Sequence, residues 1–296
     1  MISLRALKIP RFRSCFYICC PMALLFFLIG LTFSERVFAM EKIKVALAQI
    51  ACADSDLEGN FGRIRNLVLK AREEGVRAVF FPETVDLGWV NPEAHNLAGP
   101  VPGPFSRRVS DLARENNIWI GIGLCEKADG RLYDTAVLID PEGKIVLKHR
   151  KINLLSWLMD PPYTPGEISD IKAVDTPLGR VGLLICADSF KEELLDAMAR
   201  QRPELVYIPY GWAAPREKWP EHGFELVKTV QKAARHIGAP VIGPNLVGEI
   251  THGPWTGQTY EGLSTAADAS GLSIVQGRWN REDLLVFEVI PGKPAF

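Results

Sequence analysis

Histidine and cysteine are both scarce, with five His and six Cys in 296 residues. Cys15, Cys19 and Cys20 fall in the first forty residues, which leaves Cys52, Cys125 and Cys186 in the rest of the chain. Their spacing fits no zinc-ligand pattern, and three thiols cannot pair off into a disulfide ladder. At least one stays free, and in an exported chain a free thiol calls for a reason, of which reactivity is one. An excess of charge is missing too: 34 Lys and Arg face 35 Asp and Glu, for a formal net charge of -1. Arg5, Lys8, Arg11, Arg13 and Arg36 stand against the single acid Glu35 in residues 1–39, so the body of the chain is net acidic. Such a body does not attract phosphate backbones, which sets nucleic acid aside as a partner. Gly (25) and Pro (21) are too few for a low-complexity or collagen-like class. What remains is the composition of a globular protein long enough to bury a core without staples.

One long apolar run, Cys15–Phe33, follows the basic stretch Arg5–Arg13 and precedes the small-residue sequence Val37-Phe38-Ala39. A positive end, an apolar middle and a small-residue site read as a secretory signal peptide. The run is long for such a segment and close to the length that a spanning helix needs, so a retained N-terminal anchor is the second reading. Either one places the body outside, periplasmic or extracellular, or held at the outer face of the membrane through residues 15–33. In a third reading Met40 is the true start and the body is cytoplasmic. Residues 1–39 are set apart on all three, and 40–296 is treated as one domain because no linker interrupts it.

From Ile43 onward, strand and helix patterns alternate. Apolar strands are expected at Ile43–Ile50, Arg77–Pro82, Ile118–Leu124, Arg180–Ile185, Leu205–Pro209, Val241–Gly243 and Leu284–Val289. Helical spacing runs through Asn60–Glu74, where Phe61, Ile64, Leu67 and Val68 share a face. It recurs at Phe105–Asn116, after Ile185 as far as Arg200, and at His222–His236. Tyr133–Ile139 and Lys144–His149 form a hairpin about Asp140-Pro141-Glu142-Gly143, and Ser264–Asp268 and Leu272–Gln276 flank a turn at Ser270-Gly271. Alternation with hairpins mixed in implies a layered α/β domain with mixed sheets. So many strands are too many for one ordinary sheet, and two sheets face to face with helices outside would hold them.

Three segments stand out at strand ends, where α/β sheets commonly bind ligands. They are Phe81-Pro82-Glu83-Thr84, the basic run Lys148-His149-Arg150-Lys151, and Leu184-Ile185-Cys186-Ala187-Asp188. Singly, each has a plain reading: a solvated loop acid, a solvated basic face, a small buried thiol. Together, with the opening strand Lys44–Ile50, the pair Pro165-Gly166 and the strand Leu205–Pro209, they resemble the nitrilase, or carbon–nitrogen hydrolase, superfamily. The resemblance implies a four-layer α-β-β-α sandwich with mixed sheets, a homodimer or higher homo-oligomer, and a Glu-Lys-Cys triad at Glu83, Lys151 and Cys186. It also implies amidase-like hydrolysis of a small-molecule linear amide or N-carbamoyl group through a cysteine thioester. Glu83 would be the general base and then the acid, Lys151 the oxyanion's cation, and the Ala187 N–H its second donor. A helix opening at Cys186 would favour the thiolate. Nucleophile, base and electrophile are then all side chains or backbone, so no metal or organic cofactor is required.

Two departures from the family pattern matter. Many members carry a second glutamate between the lysine and the Pro-Gly pair; here Asp160 is the acid available, either at the site or as a loop cap. The residue after the nucleophile position is Ala187, where nitrilases usually have Trp and amidases and N-carbamoyl hydrolases an aromatic; alanine argues against a nitrile substrate, fits neither group well, and points to a wider pocket. Trp212 occupies a position that often contacts substrate in the family, and Tyr210, Trp157 and Trp255 are further candidates for the pocket wall. His95, His222, His236 and His252 form no catalytic pattern, so a papain-like Cys–His pair ranks low; His149 stands near Lys151 and could orient its loop. The alternatives are a non-catalytic binding module on the same scaffold, nitrile hydrolysis and acyl transfer.

Overall fold

A computed structural model describes residues 41–292 of the chain. The leader, with its three readings, lies outside the described residues. Among those described, no helix is long and apolar enough to cross a membrane.

In chain order the first half contains β1 (Ile43–Ala51), α1 (Leu57–Glu73), β2 (Ala78–Phe80), α2 (Ala94–Leu97), α3 (Pro104–Asn116), β3 (Trp119–Ala128), β4 (Arg131–Ile139) and β5 (Ile145–Arg150). Then come β6 (Ala173–Thr176), β7 (Gly179–Leu183), α4 (Glu192–Arg200), β8 (Leu205–Tyr207), β9 (Ala213–Ala214), α5 (Glu221–Ile237) and β10 (Val241–Gly243). The chain closes with β11 (Leu246–Glu249), β12 (Thr259–Glu261), β13 (Thr265–Ala267), β14 (Ser273–Gln276) and β15 (Asp283–Val289). The strands form two mixed sheets. One runs β5-β4-β3-β2-β1-β11-β12-β9, with β15 also paired to β1; the other runs β14-β13-β10-β8-β7-β6.

The alternation within β1 shows why the layers stack as they do. Successive side chains of a strand point to opposite faces. Ile43, Val45 and Leu47 join the core shared with the second sheet, whose strands contribute Val181, Leu183, Leu205, Tyr207 and Val241. Ala46, Ala48 and Ile50 face the other way, into a core completed by Ile64 and Val68 of α1 and Val109 and Leu112 of α3. Leu226, Val230, Ala233 and Ile237 of α5 and Leu194 and Met198 of α4 cover the outer face of the second sheet. The result is a four-layer α-β-β-α sandwich. At its centre the Phe80 and Tyr207 rings meet at 5.2 Å. They do so across Gly121, where a Cβ would come within 2.6 Å of Phe80.

The helix ends follow local sequence. Asp56 caps α1 by accepting the Gly59 N–H at 2.9 Å, a cap of the kind that contributes ~1 kcal/mol. Gly238, left-handed at φ 74°, ends α5 with its N–H on the Ala234 carbonyl.

The direction of the strands gathers three chain exits. β2 is parallel to β1 and β3. β4 is antiparallel to β3 and β5 to β4, so β5 again runs with β2. In the second sheet β7, β8 and β10 are mutually parallel. The turns that carry Glu83, Lys151 and Cys186 follow β2, β5 and β7 respectively.

Candidate active site

Each of the three side chains is fixed by backbone bonds before any side-chain contact is made. Beyond β2, Phe81 N–H bonds the Gly121 carbonyl at 2.8 Å and the Pro82 carbonyl accepts from Gly123 N–H at 3.1 Å. A Cβ at Gly123 would lie 2.7 Å from Glu83 Cα, so only glycine lets the Glu83 turn sit this close to β3. The Tyr207 hydroxyl donates to the Phe81 carbonyl and ties this turn to the second sheet. Beyond β5, Lys151 N–H bonds the Asp134 carbonyl of β4 and the Lys151 carbonyl accepts from Gly166, both at 2.8 Å. The Pro165-Gly166 pair thus anchors the lysine's own backbone. Beyond β7, Cys186 N–H bonds the Pro209 carbonyl at 2.9 Å. Cys186 has φ 43°, as does Thr84 next to Glu83. A non-glycine residue held in the left-handed region is strained, and the strain here falls on Cys186 and beside Glu83.

Glu83 and Lys151 are directly bonded, Oε1 accepting from Nζ in a pocket where both are buried. The Cys186 thiol lies within the fields of Glu83 and Lys151, and the backbone N–H of Gly211, beyond β8, works to lower it. Burial pushes the Cys186 thiol up and the Glu83 charge adds to this, against the opposing pull of Lys151. The thiol is therefore held in its protonated form. Burial works to lower Lys151, but the charges of Glu83, Cys186 and Asp134 outweigh it and hold the ammonium protonated. Cys186 as a residue retains 4% of its surface.

The acid beside Lys151 is Asp134, in the middle of β4, with Oδ2 3.3 Å from Nζ and a side chain that is fully buried. Asp160 does not reach it. That residue is exposed in the loop between Lys151 and Gly166 and makes no ion pair with Lys151 among the described residues. Asp160→Asn is accordingly expected to change kcat/KM by less than about twofold, as is usual for a surface polar exchange; a loss beyond tenfold in initial-rate measurements would return that acid to the site.

Sequence reasoning also passed over Asp188. Its Oδ1 accepts from the N–H groups of Ile152 and Asn153 at 3.0 and 2.8 Å; its Oδ2 accepts from Ile185 N–H at 3.0 Å and faces His149 Nε2 at 2.9 Å. A single buried carboxylate thereby clamps the residues after Lys151 to the residue before Cys186. Asn153 adds a bond from its amide to the Ala187 carbonyl at 2.7 Å. Asp188→Ala leaves three N–H groups without their acceptor, the buried one of Ile185 at ~1–3 kcal/mol and the half-buried ones of Ile152 and Asn153 at less. We expect a large drop in melting temperature by differential scanning calorimetry, and an unchanged melt would contradict the clamp.

The helix expected to open at Cys186 is in fact a five-residue 3-10 turn, Cys186–Phe190, with α4 beginning only at Glu192. The thiolate therefore gains no α-helix dipole. Every histidine has a partner other than the sulfur: Pro161 O for His95, Asp188 for His149, Glu261 for His222, Asp196 for His236, and Thr251 for His252. No papain-like pair forms among the described residues. Trp212 is half-buried, its ring 6.3 Å from Tyr210 and 5.6 Å from Phe190, and its indole N–H donates to the His222 carbonyl. Tyr210 is buried with its hydroxyl 3.1 Å from Ser189, three residues past the sulfur. Trp255 packs on Trp89 at 5.1 Å, whereas Trp157 is 76% exposed. Among the described residues no group of three or more His, Cys, Asp or Glu is disposed to hold a metal ion.

The turns after β2, β5 and β7 thus bring a carboxylate, an ammonium and a thiol together in a four-layer sandwich, with no histidine on the sulfur. The model of the carbon–nitrogen hydrolase family matches residues 44–292, and the chain belongs to that family. It is 30% identical over 190 residues to a nitrilase and fragile histidine triad fusion protein of Caenorhabditis elegans, a match spanning 60% of this chain and 43% of that one. It is 29% identical over 179 residues to an omega-amidase of Mus musculus, spanning 57% and 64%. The matches thus cover less than two thirds of the length of these relatives. In structure, an amidase from Nesterenkonia sp. AN1 superposes with a TM-score of 0.72 at 20% identity, over 84% of this chain and 90% of that one. That amidase carries the acetamide moiety of fluoroacetamide covalently added at its active-site cysteine.

Proposed function

We propose that this protein hydrolyses a non-peptide carbon–nitrogen bond, in a small linear amide or N-carbamoyl compound, through a thioester on Cys186. The observation that carries the reading is the buried Glu83–Lys151 pair beside a protonated thiol that no histidine serves. As the sulfur attacks the carbonyl, Glu83 takes the thiol proton. The oxyanion forms against the Lys151 ammonium and the Ala187 N–H. Collapse expels ammonia or an amine, which leaves with the proton from Glu83. Water then attacks the thioester, gives a proton to Glu83, and the acid departs as the thiol recovers that proton. The comparisons support this through an omega-amidase in sequence and an amidase in structure. Trp212 with Phe190 suits an apolar wall for the acyl group.

The test is ammonia release across short aliphatic amides, N-carbamoyl amino acids and nitriles, with the Cys186→Ala protein as the blank. Release from at least one amide or carbamoyl compound, absent in the blank, is the expected result. Release from nitriles alone, or from none of the panel, would overturn the reading.

A further inference from the structure

Two carboxylates in this pocket share one ammonium. Glu83 Oε1 is bonded to Lys151 Nζ, and Asp134 Oδ2 stands 3.3 Å from the same nitrogen without a hydrogen bond to it. All three side chains are buried to within 2% of complete. Neither oxygen of Asp134 has a donor, and neither does Glu83 Oε2. Ionised carboxylates accept and never donate, so two of them side by side leave lone pairs unmet; one added proton turns an acceptor into a donor.

We propose that Asp134 is a positioning residue that works as a neutral carboxylic acid, holding the one proton of the Glu83–Asp134 pair and leaving Lys151 free to serve the reacting carbonyl. This deepens the hydrolase reading and rests on it for the role of Lys151. With Asp134 neutral, the resting pocket holds Lys151 as cation and Glu83 as anion, with no net charge. It stays neutral when the thiol proton moves to Glu83 and the negative charge moves to the oxyanion. The proton of Asp134 takes no part in that transfer and is there at the end as at the start. With Asp134 ionised, the oxyanion would form next to a second negative charge that competes for the same ammonium, and like charges in a buried site are strongly disfavoured.

The groups that face Asp134 agree with this. Glu83 comes from the β2 exit, Lys151 from the β5 exit, and Cys186 from the turn after β7. Cys125 lies directly across the strand on β3, Tyr163 comes from the loop before Gly166, and Tyr207 from β8. Lys151 is the one cation among them. Burial first, and the Glu83 charge second, push the Asp134 carboxyl well above the usual carboxylate range, with Lys151 pulling the other way.

The test reads the proton without requiring turnover. Infrared difference spectra of the wild-type protein against Asp134→Asn at pH 7 should contain the C=O stretch of a protonated carboxylic acid, present in the wild type and missing from the variant. Asp86, a second buried acid whose carboxyl is pushed up to about 7 by its burial, contributes to both spectra and cancels. Should Asp134→Asn fail to fold, the spectrum of Asp86→Asn should still contain an acid band. No such band in the wild type overturns the proposal. In the activity arm, asparagine keeps the shape and neutrality of the acid, so kcat/KM at pH 7 should stay within about tenfold of wild type. Raising the pH should cost the wild type activity before it costs the variant. A folded Asp134→Asn protein that has lost more than a hundredfold would mean that Asp134 serves as an anion, which also overturns the proposal. If the band is present and no amide is turned over, the hydrolase reading falls while the protonation of Asp134 stands.

Discussion

Cys186→Ala is expected to lower turnover ~10⁵-fold or more, to the level of the uncatalysed background, because every later step waits on the bond that the sulfur forms. The fold should survive. Its backbone is held by the N–H bond to the Pro209 carbonyl, which alanine keeps, and by Ser189, whose hydroxyl donates to the Cys186 carbonyl at 2.6 Å. The loss is one sulfur from a small buried volume, ~1 kcal/mol or less in stability. Ammonia-release rates and a thermal melt on the same preparation check both halves. Measurable residual turnover above a heat-killed control would remove the sulfur from the mechanism.

Lys151→Ala should be costly in a different way. Rates should fall at least ~10²–10³-fold, the loss typical when an oxyanion donor is removed. Stability should fall as well, because the Glu83 anion loses the cation it is paired with, and stripping the partner from a buried charge costs about 3–5 kcal/mol. The sign with pH follows from the carboxylates. At low pH a buried carboxylate is neutral and needs no counter-ion; as pH rises a carboxylate ionises in the unfolded chain, but less readily where it is buried with no cation beside it. The destabilisation relative to wild type should therefore grow from pH 5 to pH 8. Denaturant melts at those two pH values decide it, and a destabilisation independent of pH would show that the pocket does not hold the acids as described.

Much of the fold was legible because its strands are strongly patterned. The alternation in Ile43–Ala51 places Val45 and Leu47 against one layer and Ala46 and Ala48 against another, as a strand buried on both faces requires. The strands at Ala173–Thr176, Leu246–Glu249 and Thr259–Glu261 were not legible: each is three or four residues long, too short for any period to declare itself. The 3-10 turn at Cys186–Phe190 was read as helix because the apolar spacing of α4 begins soon after it.

The site divides the same way. Glu83, Lys151 and Cys186 could be found because each directly follows a strand within a recognisable motif. Asp160 lies between two motifs in the chain, but sequence order within a loop does not fix where a side chain ends up. Asp134 carried a signal that went unused: an acid among Tyr133, Thr135 and Val137 in the middle of a strand is costly to bury and needs a cause. Asp188 had none, because its four partners are distributed from His149 to Ile185 and meet only after folding.

The most direct test of the account is to trap the acyl-enzyme. Acid quenching during turnover of the best amide found in the panel, followed by peptide mass spectrometry, should show the acyl mass on the peptide containing Cys186 and nowhere else. The adduct should vanish on treatment with hydroxylamine. Rapid turnover that leaves Cys186 unmodified, together with full activity in the Cys186→Ala protein, would contradict the account.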